Sequence, residues 1–502
     1  MTGAPPLSKE RQIRNSLIYL VPVVLGNLIA LVTLPLFTRT GALTTEDYGA
    51  LALATAYAAV VSGLANCGLL VSYDRNFFQY PEKRQAAGLL YTILACVVLA
   101  LAACAAVTYV FRRPLAQWII QSDQHGDLLF WTFCATGIGS LKHYFLYNLR
   151  NSEKAVANTA YVIIDTVVTV LVSVLLVLYW RLGVIGMVYA QAVGGCLFLG
   201  LMGSRFLRAL PFRLDLRLLG ESLKIGYPLT PRIFLSIFSK QFDRYIIGLL
   251  GTIGGVGIYN IGQSMSYLVF TYMTSLENVF YPQVYRRMFD LKEKGGEAIG
   301  TYVTPFAYVS ILVAVVLGLF AEEAVEILTP GPFHGAADVA SVLSMYFGIQ
   351  FFGKINGMQL IFRKKTHISS LLSFVVIAFN IVLMIPFVRA WGAMGAAWAT
   401  LLVGVLSGII IQVIAQHYYR IAWQYGRMAA IFLVFAGPVT AILVMRALDV
   451  PYPLLLAFKI VCLGGYVFLG WAIRVVTWEN YLSVKHALLR WRTPAPSGAT
   501  GG

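Results

Sequence analysis

Ten ionisable side chains lie inside long apolar stretches of this 502-residue chain. A charge in hydrocarbon is costly, so such residues usually line a path or a binding site. Lysine and arginine outnumber the carboxylates by six to three, which predicts a site for an anionic ligand such as a diphosphate. The ten residues are Lys142, His143, Asp165, Arg232, Lys240, Asp243, Arg244, Glu277, Lys354 and Lys459.

Two of the lysines occupy matching places in the sequence. Lys142 lies 8 residues before Arg150, and Lys354 lies 9 residues before Arg363. With a rise of about 1.5 Å per residue, each lysine is about 12 Å inside the end of its helix that carries the arginine. We expect the two lysines to face each other and to hold a diphosphate. The alternative is that each reaches back to the membrane surface.

One predicted helix, residues 225–250, carries several of these charges, and two prolines at its start are expected to bend or break it. A polar row follows helical spacing along it and consists of Arg232, Ser236, Ser239 and Asp243. Lys240 and Arg244 lie beside this row. Arg232 and Lys240 are expected to contact phosphate, whereas Asp243 either titrates or forms a local ion pair with Arg244.

Coupling to a proton or to Na⁺ would need a carboxylate inside the membrane, and the sequence offers Asp165, Asp243 and Glu277. A salt bridge to the nearby basic loop explains Glu277 equally well. Lys459 is expected to extend outward to the membrane surface. The basic residues predicted to line the path are Arg39, Lys142, Arg232, Lys240, Arg244 and Lys354.

The sequence carries no motif for a nucleotide, a metal ion or acid–base catalysis. Its six histidines are scattered. We therefore predict that the protein is not an enzyme, that it has no metal site, and that it uses no cofactor beyond a coupling ion.

The elements that must position these residues are membrane-spanning helices. The chain is 59% hydrophobic and only 12% charged, and about fourteen stretches approach the ~20 residues that cross a bilayer. This pattern predicts an all-α polytopic membrane protein. The expected spans are 16–38, 48–71, 88–110, 128–149, 157–179, 183–203, 225–250, 256–281, 300–320, 339–362, 368–388, 393–416, 428–446 and 454–476.

The loops alternate in charge. With Arg474 at the end of the last predicted span counted in the tail, the N-terminus, every second loop and the tail together hold 26 lysines and arginines, and the other loops hold 6. Because positive loops stay in the cytoplasm, both termini are predicted to be cytoplasmic. Twelve spans would preserve the same alternation. The net charge of +16 is then explained by this basic collar, and no nucleic acid is expected as a partner.

A repeat divides the chain. Gly183, Gly186 and Tyr189 match Gly392, Gly395 and Trp398 at an offset of 209. Six spans per copy give both copies the same orientation, as in transporters built from parallel repeats. The glycines are expected at tight turns and helix starts. The predicted divisions are a cytoplasmic N-terminus (1–15), an N-lobe (16–210), a C-lobe (211–420), two extra helices (421–478) and a cytoplasmic tail (479–502).

Three groups of residues resemble the polysaccharide transporters, which are the O-antigen and exopolysaccharide flippases of the multidrug/oligosaccharidyl-lipid/polysaccharide (MOP) superfamily. The resemblance covers roughly residues 15–420. It is carried by Asn27, Leu34-Pro35-Leu36, Arg39 and Thr44 to Leu51 (TTEDYGAL); by Gly226 to Pro231 (GYPLTP), Phe242 to Gly248 (FDRYIIG) and Val256 to Asn260 (VGIYN); and by Asn380, Ile385-Pro386, Gly392 and Gly395.

This resemblance implies two six-helix bundles in the bacterial inner membrane and a central cavity that opens alternately to either side. The implied cargo is a polyprenyl-pyrophosphate-linked oligosaccharide for lipopolysaccharide or exopolysaccharide, and the implied partners are a polysaccharide polymerase and a chain-length regulator. Alternatives are a MATE-type drug or metabolite antiporter, whose cavity should be acidic, and a peptidoglycan lipid precursor flippase. A membrane-embedded polymerase would need a larger outer loop than this chain offers.

Overall fold

The computed structural model describes residues 32–80, 83–152, 154–209 and 212–473, together with residues 18, 21, 22, 25, 26, 29 and 475. The predicted N-terminus (1–15) and tail (479–502) therefore lie outside the described residues. Residues 32–39 are helical, and the first predicted span is otherwise described only at scattered positions. Throughout the described part the chain is helical and contains no strand.

Sixteen α-helices follow residues 32–39. They are α1 Thr45–Ala65, α2 Leu69–Gln79, α3 Lys83–Val110, α4 Arg112–Ile119, α5 Gly126–Asn151, α6 Ala155–Val174, α7 Val184–Ala209, α8 Leu216–Gly226, α9 Thr230–Leu250, α10 Ile253–Leu291, α11 Gly295–Leu319, α12 Ala321–Leu328, α13 Ala336–Phe362, α14 Thr366–Tyr418, α15 Tyr425–Ala447 and α16 Tyr452–Ala472.

Every predicted span after the first overlaps a described helix, and the spans 48–71 and 225–250 each cross a break between two helices. Nine helical segments of the described chain are long and apolar enough to cross a membrane. One of them, within α14, joins two predicted spans across a kink at Trp391 and Gly392. The helices α5, α9 and α10 occupy predicted spans but are not among these nine. The three helices carry seven of the ten intramembrane ionisable residues, which lower their hydropathy.

Contacts group the chain into two compact units. Unit 1 comprises residues 1–264, 322–339 and 377–400, and unit 2 comprises residues 265–321, 340–376 and 401–502. Each unit has its own apolar core: Tyr73 and Tyr144 are buried in unit 1, and Phe280 and Phe351 are buried in unit 2. These two units contain different sets of residues from the two predicted lobes. The lobes were defined by the sequence repeat, and their division stays a prediction.

The repeated glycines have matching conformations. Gly183 has φ +62° and Gly392 has φ +55°, a left-handed backbone that glycine adopts without a Cβ clash. Three residues later, a Cβ on Gly186 would lie 3.2 Å from Val177, and one on Gly395 would lie 1.9 Å from the carbonyl oxygen of Phe387. The prediction that these glycines form turns and close approaches is confirmed.

Two helices of unit 1 break where they touch. The turn at Gly68, with φ +67°, separates α1 from α2, and a 3₁₀ turn at Tyr227–Leu229 separates α8 from α9. A Cβ on Gly68 would lie 2.2 Å from the carbonyl oxygen of Gly226. The break near the prolines of the seventh span, which the sequence predicted, is therefore present and packs against a second break.

Candidate functional site

Lys142 on α5 forms an ion pair inside unit 1. Its Nζ donates to Oδ2 of Asp165 on α6 at 2.7 Å. The two side chains are only 15% and 19% exposed. The other carboxylate oxygen of Asp165, Oδ1, is buried and has no hydrogen-bond partner among the described residues. Most of the polar surface of this ion pair is therefore withdrawn from solvent.

Helix α7 closes over this ion pair because it carries glycines at the point of contact. A Cβ on Gly194 would lie 3.5 Å from Oδ1 of Asp165, and one on Gly195 would lie 3.9 Å from Cε of Lys142. The same helix places the ring of Phe198 5.6 Å from the lysine Nζ, within the range of a cation–π contact. The ammonium group thus has one carboxylate and one aromatic face as neighbours.

Lys354 on α13 has the same surroundings in unit 2. Its Nζ lies 3.0 Å from Oε2 of Glu277 on α10, with side-chain exposures of 31% and 18%. The ring centroid of Phe270, also on α10, is 5.4 Å from Nζ. The predicted salt bridge of Glu277 to the basic loop is wrong, because its partner is the intramembrane lysine.

The lysines repeat, but their partners do not. At the offset of 212 that relates Lys142 to Lys354, Asp165 corresponds to Ile377 and Glu277 corresponds to Ala65. The acid follows its lysine along the chain in unit 1 and precedes it in unit 2. Two of the three predicted coupling carboxylates are therefore the counter-ions of the two predicted diphosphate-binding lysines. The excess of basic residues does not by itself create free positive charge at these positions.

Asp243 and Arg244 on α9 point to different partners. Oδ2 of Asp243 accepts a hydrogen bond from the hydroxyl of Tyr259 at 2.7 Å. Arg244 donates to the side chains of Gln241 and Gln263 at 2.7 and 3.1 Å. Within the described chain the two residues form no ion pair with each other, so the local pair predicted from their adjacency is wrong. Neighbouring residues on a helix project about 100° apart.

The remaining candidates are dispersed. Arg39 is exposed and donates to the carbonyl oxygen of Glu326 at 2.8 Å, near the C-terminus of α12. Lys240 is exposed. The backbone at Arg232 is helical, and its side chain lies outside the described part. Lys459 is fully buried, with Nζ 5.9 Å from the ring centroid of Tyr452, so its predicted extension to the surface is wrong.

Sequence reasoning missed the aromatic neighbours. Phe270 lies seven residues before Glu277, a spacing that places both on one face of α10. This spacing was sufficient to predict that Phe270 lies on the same helix face as Glu277. Phe198 and Tyr259 carry no such signal, because tertiary packing alone brings them to Lys142 and Asp243.

Comparison with solved structures identifies the fold. The structure of the lipid II flippase MurJ in an inward closed conformation superposes with a TM-score of 0.69 and 13% identity, covering 92% of this chain and 100% of that one. An inward-facing multidrug resistance MATE family transporter of the MOP superfamily gives a TM-score of 0.61 and 13% identity, covering 80% and 97%. A MATE structure in complex with MaD3S gives 0.52 and 13%, covering 82% and 96%.

The chain therefore has the fold of these transporter structures, and its long apolar helices make it a multi-pass membrane protein. A search among curated proteins returns no match. The family model described as polysaccharide biosynthesis protein matches residues 13–288, more than half of the chain. The chain therefore belongs to the polysaccharide biosynthesis protein family, and the family and all-α fold predicted from the sequence are confirmed.

Proposed function

We propose that this protein moves polyprenyl-diphosphate-linked oligosaccharides across the bacterial inner membrane for O-antigen or exopolysaccharide export. In this proposal both termini are cytoplasmic, and transport proceeds by alternating access. A polysaccharide polymerase and a chain-length regulator would take up the product. Membership of the polysaccharide family supports the class of cargo, and the charge alternation of the loops supports the orientation.

The observation that carries the proposal is the pair of ammonium groups held by intramembrane carboxylates, Lys142 with Asp165 and Lys354 with Glu277. A bare ammonium in the membrane is costly, and a paired one much less so. A diphosphate presents several anionic oxygens to an ammonium. It can therefore replace the carboxylate at each lysine without leaving the ammonium unpaired. Each lysine would thus exchange one counter-ion for another.

The exchange also suggests how transport is coupled. A carboxylate that loses its lysine is left with an uncompensated charge and would favour a proton or a cation. Their ion pairs with Lys142 and Lys354 support Asp165 and Glu277 as candidates for this role. Asp243, whose partner is the hydroxyl of Tyr259, is a further candidate for H⁺ or Na⁺.

The charge arrangement also weighs against the antiporter alternative. A cavity for cationic drugs needs available carboxylates, and two of the three intramembrane acids here are paired with lysine. A peptidoglycan lipid precursor would present the same diphosphate to the same lysines. The family model favours a surface polysaccharide over that cargo.

The test is a lipid analysis of cells that lack the protein. We expect a complete sugar repeat unit to accumulate on its polyprenyl carrier while surface glycan is lost. Complementation with the wild-type gene should restore export, and the double variant Lys142→Ala with Lys354→Ala should not. Lys→Arg at both positions, which keeps the charge, should retain part of the activity. Unchanged lipid intermediates with altered sensitivity to cationic compounds would overturn the proposal in favour of an antiporter.

A further inference from the structure

An aromatic row runs along one side of α10 within unit 2. Its rings lie on one side of the helix in two groups, Tyr267 with Phe270 and Tyr281 with Tyr285 and Phe289, and the rings within each group contact one another. Tyr267 and Phe270 have ring centroids 5.1 Å apart, and Tyr281 and Tyr285 have centroids 4.9 Å apart. Phe289 continues the row at 6.4 Å from Tyr285. We call these five residues the aromatic row.

The aromatic row is distinct from the buried side of the same helix. Met273, Phe280, Val284 and Met288 are at most 1% exposed and belong to the core of unit 2. By contrast, Tyr267 is 48% exposed and Phe289 is 64% exposed, and Tyr281 and Tyr285 are half-buried. Phe270, Tyr281 and Tyr285 pack against this core with part of their surface, and the aromatic row therefore lies at the edge of the core with its remaining ring surface exposed.

Polar groups on this side of α10 argue against contact with lipid. Glu277 lies at its edge and carries a charge balanced by Lys354. The hydroxyls of Tyr281 and Tyr285 are 3.4 Å apart. Thr274, between them and Phe270, adds a further hydroxyl that bonds the Phe270 carbonyl at 3.0 Å. A carboxylate in lipid is costly even when a lysine balances its charge, so the side of α10 that carries Glu277 is expected to face an aqueous path.

Helix α13 runs beside the aromatic row and adds matching side chains. Phe347 contacts Tyr267 edge-on at 5.8 Å, and Phe362 contacts Phe289 at 4.9 Å. Between them, Lys354 pairs with Glu277. The arrangement therefore combines one cation near the middle with aromatic rings on both sides of it. From Tyr267 to Phe289 the helix rises about 33 Å, so the aromatic row begins inside the predicted span 256–281 and ends about 12 Å beyond it.

We propose that the aromatic row binds the sugar rings of the cargo by stacking while Lys354 holds the diphosphate. This inference rests on the proposed function and adds a glycan-binding site to it. The C–H faces of a pyranose are apolar and its hydroxyl edges are polar. An aromatic face with a tyrosine hydroxyl at its rim complements both. Two groups of rings along one helix can contact different sugars of the same oligosaccharide, and stacking does not require one particular sugar.

The test separates sugar binding from diphosphate binding. Purified protein in lipid nanodiscs is titrated with two probes: undecaprenyl diphosphate without sugar, and the sugar-bearing lipid extracted from cells that lack the protein. We expect Tyr281→Leu with Tyr285→Leu to lower the affinity for the sugar-bearing probe about tenfold and to leave the affinity for the sugar-free probe unchanged. Tyr281→Phe with Tyr285→Phe keeps the rings and removes only the hydroxyls, so it should reduce the affinity for the sugar-bearing probe less than the Leu variants do and leave the affinity for the sugar-free probe unchanged.

Two further variants complete the design. Lys354→Ala should lower the affinity for both probes, because both carry the diphosphate. Tyr272→Leu removes a half-buried tyrosine from another side of α10 and should change neither. Equal weakening of both probes by the Leu variants, or no weakening of either, would overturn the inference and leave the proposed function standing. If the wild-type protein binds neither probe, the proposed function fails and the inference fails with it.

Discussion

Lys142 and Asp165 are joined by a 2.7 Å contact across adjacent helices, yet only one oxygen of the carboxylate takes part. The second oxygen is buried and lacks a hydrogen-bond partner within the described chain. The carboxylate therefore depends on a single lysine for compensation of its charge. This dependence lets the structural and functional roles of the lysine be separated by experiment.

Removal of either charge alone should destabilise the protein. Lys142→Ala leaves Asp165 with no described partner on either oxygen, and we expect the free energy of unfolding to fall by about 2 kcal/mol. Asp165→Ala leaves the ammonium unpaired and should have a similar effect. Thermal unfolding of the purified protein in detergent measures both. A variant as stable as wild type would contradict the structural dependence.

The neutral double variant Lys142→Met with Asp165→Leu is the matched control. It replaces both charges with apolar side chains, and such replacements are often neutral for stability. We expect wild-type stability with loss of glycan export, because no ammonium remains for the diphosphate. Normal export by this variant, measured as surface glycan at equal protein levels, would remove Lys142 from the proposed path.

The sequence was informative where hydropathy or periodicity determines structure. The spans were predicted because a bilayer demands long apolar helices, and Lys142 with Lys354 stood out because a charge inside such a helix is rare. Their partners could not be predicted, because Asp165 and Glu277 come from helices that the repeat does not relate. Adjacency in sequence was misleading for Asp243 and Arg244, whose partners are set by helix rotation and packing.

Glycines at helix crossings give a second prediction. A Cβ on Gly49 would lie 1.9 Å from the carbonyl oxygen of Ile253, and one on Gly257 would lie 2.0 Å from that of Thr45. Neither backbone can move away from the added Cβ without separating α1 from α10. We therefore expect Gly49→Ala and Gly257→Ala each to lower the free energy of unfolding by about 2 kcal/mol, and with it the melting temperature by several degrees.

Gly139 offers the control for this prediction. It lies inside α5 with no atom within 4 Å of its added Cβ. Gly139→Ala should therefore be neutral or stabilising by up to about 1 kcal/mol, because alanine has the higher helix propensity. If Gly49→Ala were as harmless as Gly139→Ala in thermal unfolding, the close crossing of α1 and α10 would be incorrect.

Inside unit 2, helix α16 is attached to α11 by two tyrosines whose hydroxyls bind each other's backbone. The hydroxyl of Tyr308 on α11 donates to the carbonyl oxygen of Tyr466 at 3.2 Å. In return, the hydroxyl of Tyr466 donates to the carbonyl oxygen of Tyr308 at 2.9 Å. Their rings stack at 4.9 Å with an angle of 12°. Gly470 makes room for this pair, since its Cβ would meet the Tyr308 ring at 2.4 Å.

These contacts predict a graded series. Tyr308→Phe and Tyr466→Phe each remove one buried hydrogen bond but keep the stacked ring, so each should lower the free energy of unfolding by about 1 kcal/mol. Gly470→Leu cannot be accommodated without displacing Tyr308, and we expect the larger effect there, about 3 kcal/mol. Tyr179→Phe is the control, because that tyrosine is 78% exposed and should change nothing. Thermal unfolding measures the four variants side by side. Equal melting temperatures for Gly470→Leu and Tyr179→Phe would show that α16 is not attached to α11 in this way.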